Sequence, residues 1–191
     1  MKHTLISTGG LAVTLAAFAL IGAGQPSTAE GPRFNDKGEL LFPANYREWI
    51  FLSSGLGMNY GPLAAKAEDA PQFDNVFVTP AAYKSFLETG RWPDQTMLLI
   101  EVRSSETKGS INKAGHFQSG LVGIEAEVKD ERRFSGKWAF FSLGPGEAAG
   151  RQRPATDSCY SCHAEHGAVD NTFVQFYPTL VSVAKQKGAW K

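Results

Sequence analysis

Residues 159–163 read Cys-Tyr-Ser-Cys-His, and Cys159 and Cys162 are the only cysteines of the 191-residue chain. This spacing constrains the fold more than any other feature, because C-x-x-C-H is the attachment pattern of a c-type haem. On one helical turn the two thiols each reach one vinyl group of a single porphyrin, and the adjacent imidazole binds the iron. A fold that carries the motif must leave room for a porphyrin beside that helix. Two other uses of the same residues are weaker. A disulfide between Cys159 and Cys162 lacks the βαβ surroundings of thioredoxin-like redox motifs. A zinc site built from both cysteines with His163 and His166 lacks a second C-x-x-C and the usual His-x₃₋₅-His spacing.

The N-terminal segment agrees with this chemistry. Lys2 precedes an apolar run from Leu11 to Ile21, and Ser27-Thr28-Ala29 forms a small-x-small cleavage site. Residues 1–29 read as a secretory signal peptide, since the apolar run is shorter than the ~18 residues of a membrane anchor. Residues 30–191 then form a single exported domain, expected in a bacterial periplasm, with no membrane span in the mature chain. Lys and Arg number 19, as do Asp and Glu, and no basic run occurs. That balance argues against a nucleic-acid partner.

The pattern of the mature chain points to an α+β fold, predominantly antiparallel sheet with flanking helices and a C-terminal helix bearing the haem motif. Pro43 to Trp49 begins an amphipathic stretch, apolar through Leu52, that reads as helix, with strand as the alternative at its end. Ser53 to Gln72, rich in Gly and Pro, reads as a long connection. Asn75–Val78 reads as a strand, and Thr79-Pro80 opens a helix that Gly90 closes, with the Thr79 hydroxyl as N-cap. Thr96–Val102, His116–Val128 and Lys137–Leu143 read as three longer strands. Their connections are too short for crossover helices, so they form a meander. Gly144 to Pro154 reads as a loop. Thr156, Asp157 or Ser158 caps the haem helix, which Gly167 ends, and a last helix from Pro178 buries Leu180, Val181 and Ala184.

The tail after His163 holds no Met and only His166, which lies on the same helix and cannot span a porphyrin. Candidates upstream for a second axial ligand are Met58, Met97 and His116. Each also reads as an ordinary residue: loop filler, strand core and an exposed strand end. The expectation is a five-coordinate iron with an open distal face.

Helical-bundle cytochromes c′ share a C-terminal C-x-x-C-H, but the strands exclude that architecture. The chain instead resembles the cytochrome P-460 family, which includes the β-sheet cytochromes c′. The resemblance rests on Phe34-Asn35-Asp36-Lys37-Gly38-Glu39-Leu40-Leu41, Asn45-Tyr46-Arg47-Glu48-Trp49, Ile124 to Asp130, Trp138-Ala139-Phe140, the haem motif and Phe176-Tyr177-Pro178, all in family order. It implies a homodimer of mainly antiparallel sheet holding one covalent haem c through Cys159, Cys162 and His163. Hydroxylamine-oxidising members carry a lysine linked to the porphyrin, at a position that matches Ile100 here. An apolar side chain there moves the expectation to the β-sheet cytochromes c′, which bind NO or CO at a distal site shielded by aromatic rings.

Phe77 and Phe117 are the candidates for that shield. Lys108 and Lys113, in a nearby loop, are candidate substitutes for the missing lysine, and read more simply as solvated. Alternation places Glu101 and Arg103 opposite Ile100, and these two, with Glu125 and Glu127, are expected on a solvated or ion-paired face away from the porphyrin. Three functions follow: an exported haem protein binding a small diatomic ligand, a hydroxylamine-oxidising enzyme, and an electron carrier with a redox partner protein. An apolar distal pocket favours the first, a titratable group beside the iron the second, and a sixth protein ligand the third.

Overall fold

The computed structural model describes residues 31–59 and 70–191, so the expected signal peptide lies outside the described residues, as do residues 60–69 of the expected 53–72 connection. In chain order the elements are β1 (Leu40–Leu41), a 3-10 turn (Tyr46–Glu48), β2 (Ile50–Leu56), β3 (Phe73–Val78), α1 (Pro80–Thr89), β4 (Met97–Glu106), β5 (Phe117–Lys129), β6 (Trp138–Leu143), β7 (Ala149–Gln152), α2 (Ser158–His166), a second 3-10 turn (Val174–Phe176) and α3 (Pro178–Gln186). The strands form one antiparallel sheet in the order β1-β7-β6-β5-β4-β3-β2. The fold is therefore α+β and mainly sheet, as expected, with the meander running unbroken from β2 to β7.

Alternation along the central strands gives the sheet two apolar faces. Leu98 on β4 joins Leu52, Val76, Val78 and Trp138 in a core closed by Phe86 of α1 and Leu180 and Ala184 of α3. Leu180 and Ala184 are four residues apart and thus share one helical face; each is 0 % exposed. Burying a leucine this fully stabilises by roughly 1.5–3 kcal/mol. Met97 and Leu99 face the other way, into a second core with Ile124, Ala126, Val128 and Phe141 under Leu40, Tyr46, Trp49 and Phe134. The two helices cover only one end of the first face. The other end is open to a cavity.

The structure corrects three local expectations. Pro43 to Leu52 is helical only in the 3-10 turn Tyr46–Glu48; its end is the strand given as the alternative, and β2 runs on to Leu56, into the expected Ser53–Gln72 connection. Leu52 packs in the helix-side core while Phe51 meets Phe77 at 5.6 Å on the opposite side, a two-sided demand that a strand meets and a helix does not. The Gly144–Pro154 segment contains β7, which pairs with β6 and β1. Gly150 makes that pairing possible, because a Cβ there would lie 2.5 Å from Leu143 and 2.9 Å from the Ser142 carbonyl. Thr79 precedes α1 as expected, yet its hydroxyl makes no capping bond; Pro80 begins the helix and Gly90, at φ 74°, ends it.

Candidate haem site

The nine-residue helix α2 is held at both ends. Asp157 is its N-cap, accepting a hydrogen bond from the Cys159 N–H at 3.3 Å, and Arg153 pairs with the Asp157 carboxylate at 3.1 Å. At the other end Gly167 lets the chain fold back on the helix. A Cβ at Gly167 would lie 2.6 Å from both the His163 carbonyl oxygen and Asn171 C. The return turn places Asp170 and Asn171 at positive φ, 46° and 60°, a region that Asp and Asn adopt more readily than most residues. Asp170 fixes the turn to the sheet side by accepting from the Trp92 N–H and from Arg91, each at 3.1 Å, while the Trp92 indole donates to Thr172 at 2.8 Å.

This turn sets the state of His163. The Asn171 carbonyl lies 2.8 Å from Nδ1, and because a carbonyl only accepts, Nδ1 carries the proton. Nε2 is left as the lone-pair nitrogen that a metal requires. Burial holds the imidazole pKa below its ordinary value, which keeps the ring neutral. Phe140 and Phe173 grip the ring, with centroids 4.4 and 4.3 Å away.

His163, Cys159 and Cys162 all open onto one cavity of about 890 Å³, within the range of small-molecule and cofactor sites. Three cross-strand rows form its sheet wall and its margin. Leu98, Glu127 and Phe140 make the row that His163 meets; Val76, Ile100, Glu125 and Ser142 make the next; Gly55, Asp74, Val102 and Gly123 make the third. The first and third rows are four residues apart along β4, about 13 Å at the usual strand rise. Met58 reaches the cavity by laying its side chain over Gly55, where a Cβ would collide with the thioether.

Glu127 is the most perturbed group of the cavity wall. It is 3 % exposed, its Oε1 lies 3.6 Å from His163 Nε2, and its Oε2 is buried with no hydrogen-bond partner. Burial first, then the charge of Glu125, pushes its pKa up to about 8. An orphaned polar atom in a large cavity, beside a correctly tautomerised imidazole and two thiols, is what a wall missing its occupant shows. The residues therefore fit a covalent haem c: Cys159 and Cys162 as attachment sites and His163 Nε2 as the iron ligand.

The family model for cytochrome P460 matches residues 43–174. The chain belongs to the cytochrome P460 family. No curated protein matches it. Membership makes this chain a haem c protein, and the match spans the sheet and the haem motif together. In P460 terms Ile100, the position resembling the linked lysine, lines the cavity as expected, with Val102 beside it. Glu101 and Arg103 lie on the opposite face as expected, where Glu101 is 0 % exposed and held by Tyr46, Arg47, Arg103 and Asn75.

Other expectations are corrected. Glu125 and Glu127 do not point away; both line the cavity, because the register sets Glu125 against Ile100 and Glu127 against Leu98. Phe77 is not at the cavity but in the second core, against Tyr46 and Phe51 at 5.6 Å each. Phe117 folds over Gly109 at the β4–β5 hairpin and is 41 % exposed. Among the described residues, the aromatic rings that line the cavity are Phe173, Phe176 and Tyr177, on the segment after the haem helix. Of the three upstream candidates for a second ligand, Met97 is buried in the second core and His116 sits beside Ser105 at 3.3 Å; Met58 alone lines the cavity. Lys108 and Lys113 are exposed on the hairpin. Asp74 carries no signal in the sequence, because nothing in a single strand reveals which face its neighbours bring to it.

Proposed function

We propose that this is an exported protein with one covalently attached haem c that binds NO or another small diatomic ligand on the iron face opposite His163. One observation carries the reading: Val76, Ile100 and Val102 form the apolar strip of the cavity wall, and no lysine is among the described residues lining it. The chain's own parts suit the task. Asn171 orients His163, Phe140 and Phe173 keep water from the ring, and Arg153 and Asp157 hold the thiol-bearing turn. Bound haem would supply an iron that accepts NO or CO. Homodimer formation and docking of a redox partner belong to the same proposal, by family resemblance.

A second reading has its own support. Glu125 and Glu127 put titratable carboxyls in the cavity, which is what oxidation of hydroxylamine needs for proton transfer. Mass spectrometry of the native haem peptide, with hydroxylamine turnover, separates the two. Two thioethers, no third bond and negligible turnover support ligand binding. A cross-link from any lysine, or rapid turnover, establishes the enzyme instead.

A further inference from the structure

The part of the cavity away from His163 carries a one-sided charge. Asp74, Glu125 and Glu147 line it, with Glu127 nearer His163 in the first row, and no Lys or Arg is among the described lining residues. Arg47 and Arg103 neutralise Glu101 on the opposite face. Arg153, outside the lining, pairs with Asp157 at 3.1 Å, approaches Ser142 Oγ at 3.4 Å, bonds to the Cys159 thiol and interacts with the charge of Glu125. Glu147 is tied to the Gly144 N–H at 2.6 Å. The buried, unpartnered Oε2 of Glu127, in the row that His163 meets, is a separate sign that the cavity lacks its occupant.

Asp74 is placed to act on what enters. It stands in the third row, two rows from the one His163 meets, between Val102 and Gly55, over which the Met58 side chain lies, and it lines the cavity. A ligand bound opposite His163 occupies the part of the cavity that this row borders. We propose that Asp74, reinforced by Glu125, is a ligand-selecting residue that repels anions from the open iron face and leaves it to uncharged ligands. This rests on the open-face reading above and adds a selection rule to it. A carboxylate about 12 Å from a bound anion, in a partly buried site of effective dielectric near 20, weakens its binding about tenfold. NO, CO and other neutral molecules pay no such penalty.

The test compares azide binding to the ferric holoprotein with CO binding to the ferrous holoprotein at pH 7.5, both read by absorption spectroscopy. In Asp74→Asn the ratio of azide to CO association constants rises about tenfold over the native protein, and in Glu125→Gln it rises less. Asp74→Ser serves if the Asn variant folds poorly. An unchanged ratio in the Asp74 variants overturns the proposal, as does a rise confined to Glu125→Gln. If neither azide nor CO binds the native protein, the open-face reading itself fails, and the selection rule falls with it.

Discussion

Cys159, Cys162 and His163 do separate jobs, and substitutions distinguish them. With no third thiol in the chain, Cys159→Ala with Cys162→Ala leaves nothing to form a thioether, so haem staining after denaturing electrophoresis disappears; persistent stain contradicts the assignment. His163→Ala keeps the stain and loses the proximal ligand, seen as a changed Soret band. Asp74 carries a pH signature. Burial, then the charge of Glu125, pushes its carboxyl up to about 6 from an ordinary 3.8. The charged and titratable groups facing it are Glu125, Glu147 and, deeper, Glu127, while β2 and β4 bring Ser53, Gly55, Ile100 and Val102 to that side. A carboxyl with a raised folded pKa favours folding while protonated, and that contribution is lost as pH rises through about 6. Asp74→Asn is therefore expected to raise the melting temperature more at pH 7.5 than at pH 4. Equal shifts at both values contradict it.

At the scale of elements, the short turn after α2 decides the imidazole. Gly167→Ala places a methyl 2.6 Å from Asn171, so either the helix end or the turn must move. The expected cost is about 1–3 kcal/mol of stability. The accompanying loss of the Asn171 bond to Nδ1 shifts the iron–histidine stretch in resonance Raman spectra; a stability loss with that band unmoved means the turn is only structural. α2 was legible from its motif, its cap and its glycine, all local signals. β2 and β7 were not. Phe51 and Leu52 look helical until their two faces are known, and β7 is a Gly-containing segment whose pairing with β6 and β1 is a long-range fact.

For the whole molecule, the meander could be read in advance because connection lengths forbid crossovers. The cavity could not, because it depends on register. Single-strand alternation correctly put Ile100 on one face and Glu101 with Arg103 on the other. It gave no relation between β4 and β5, so it missed Glu125 and Glu127, and it misassigned Phe77, whose partners Tyr46 and Phe51 come from distant segments. The arrangement that results is a sheet face divided between helices and haem: α1 and α3 close one end, and the C-x-x-C-H helix and the following aromatic segment line the other. Met58 is the one upstream candidate ligand at that cavity. The most direct test of the open face is the resonance Raman spectrum of the unliganded ferrous protein. A five-coordinate, high-spin signature that CO converts to six-coordinate, unchanged before CO by Met58→Ala, is the expected result. A low-spin ferrous spectrum that Met58→Ala turns high-spin would make Met58 an axial ligand and contradict an open iron face.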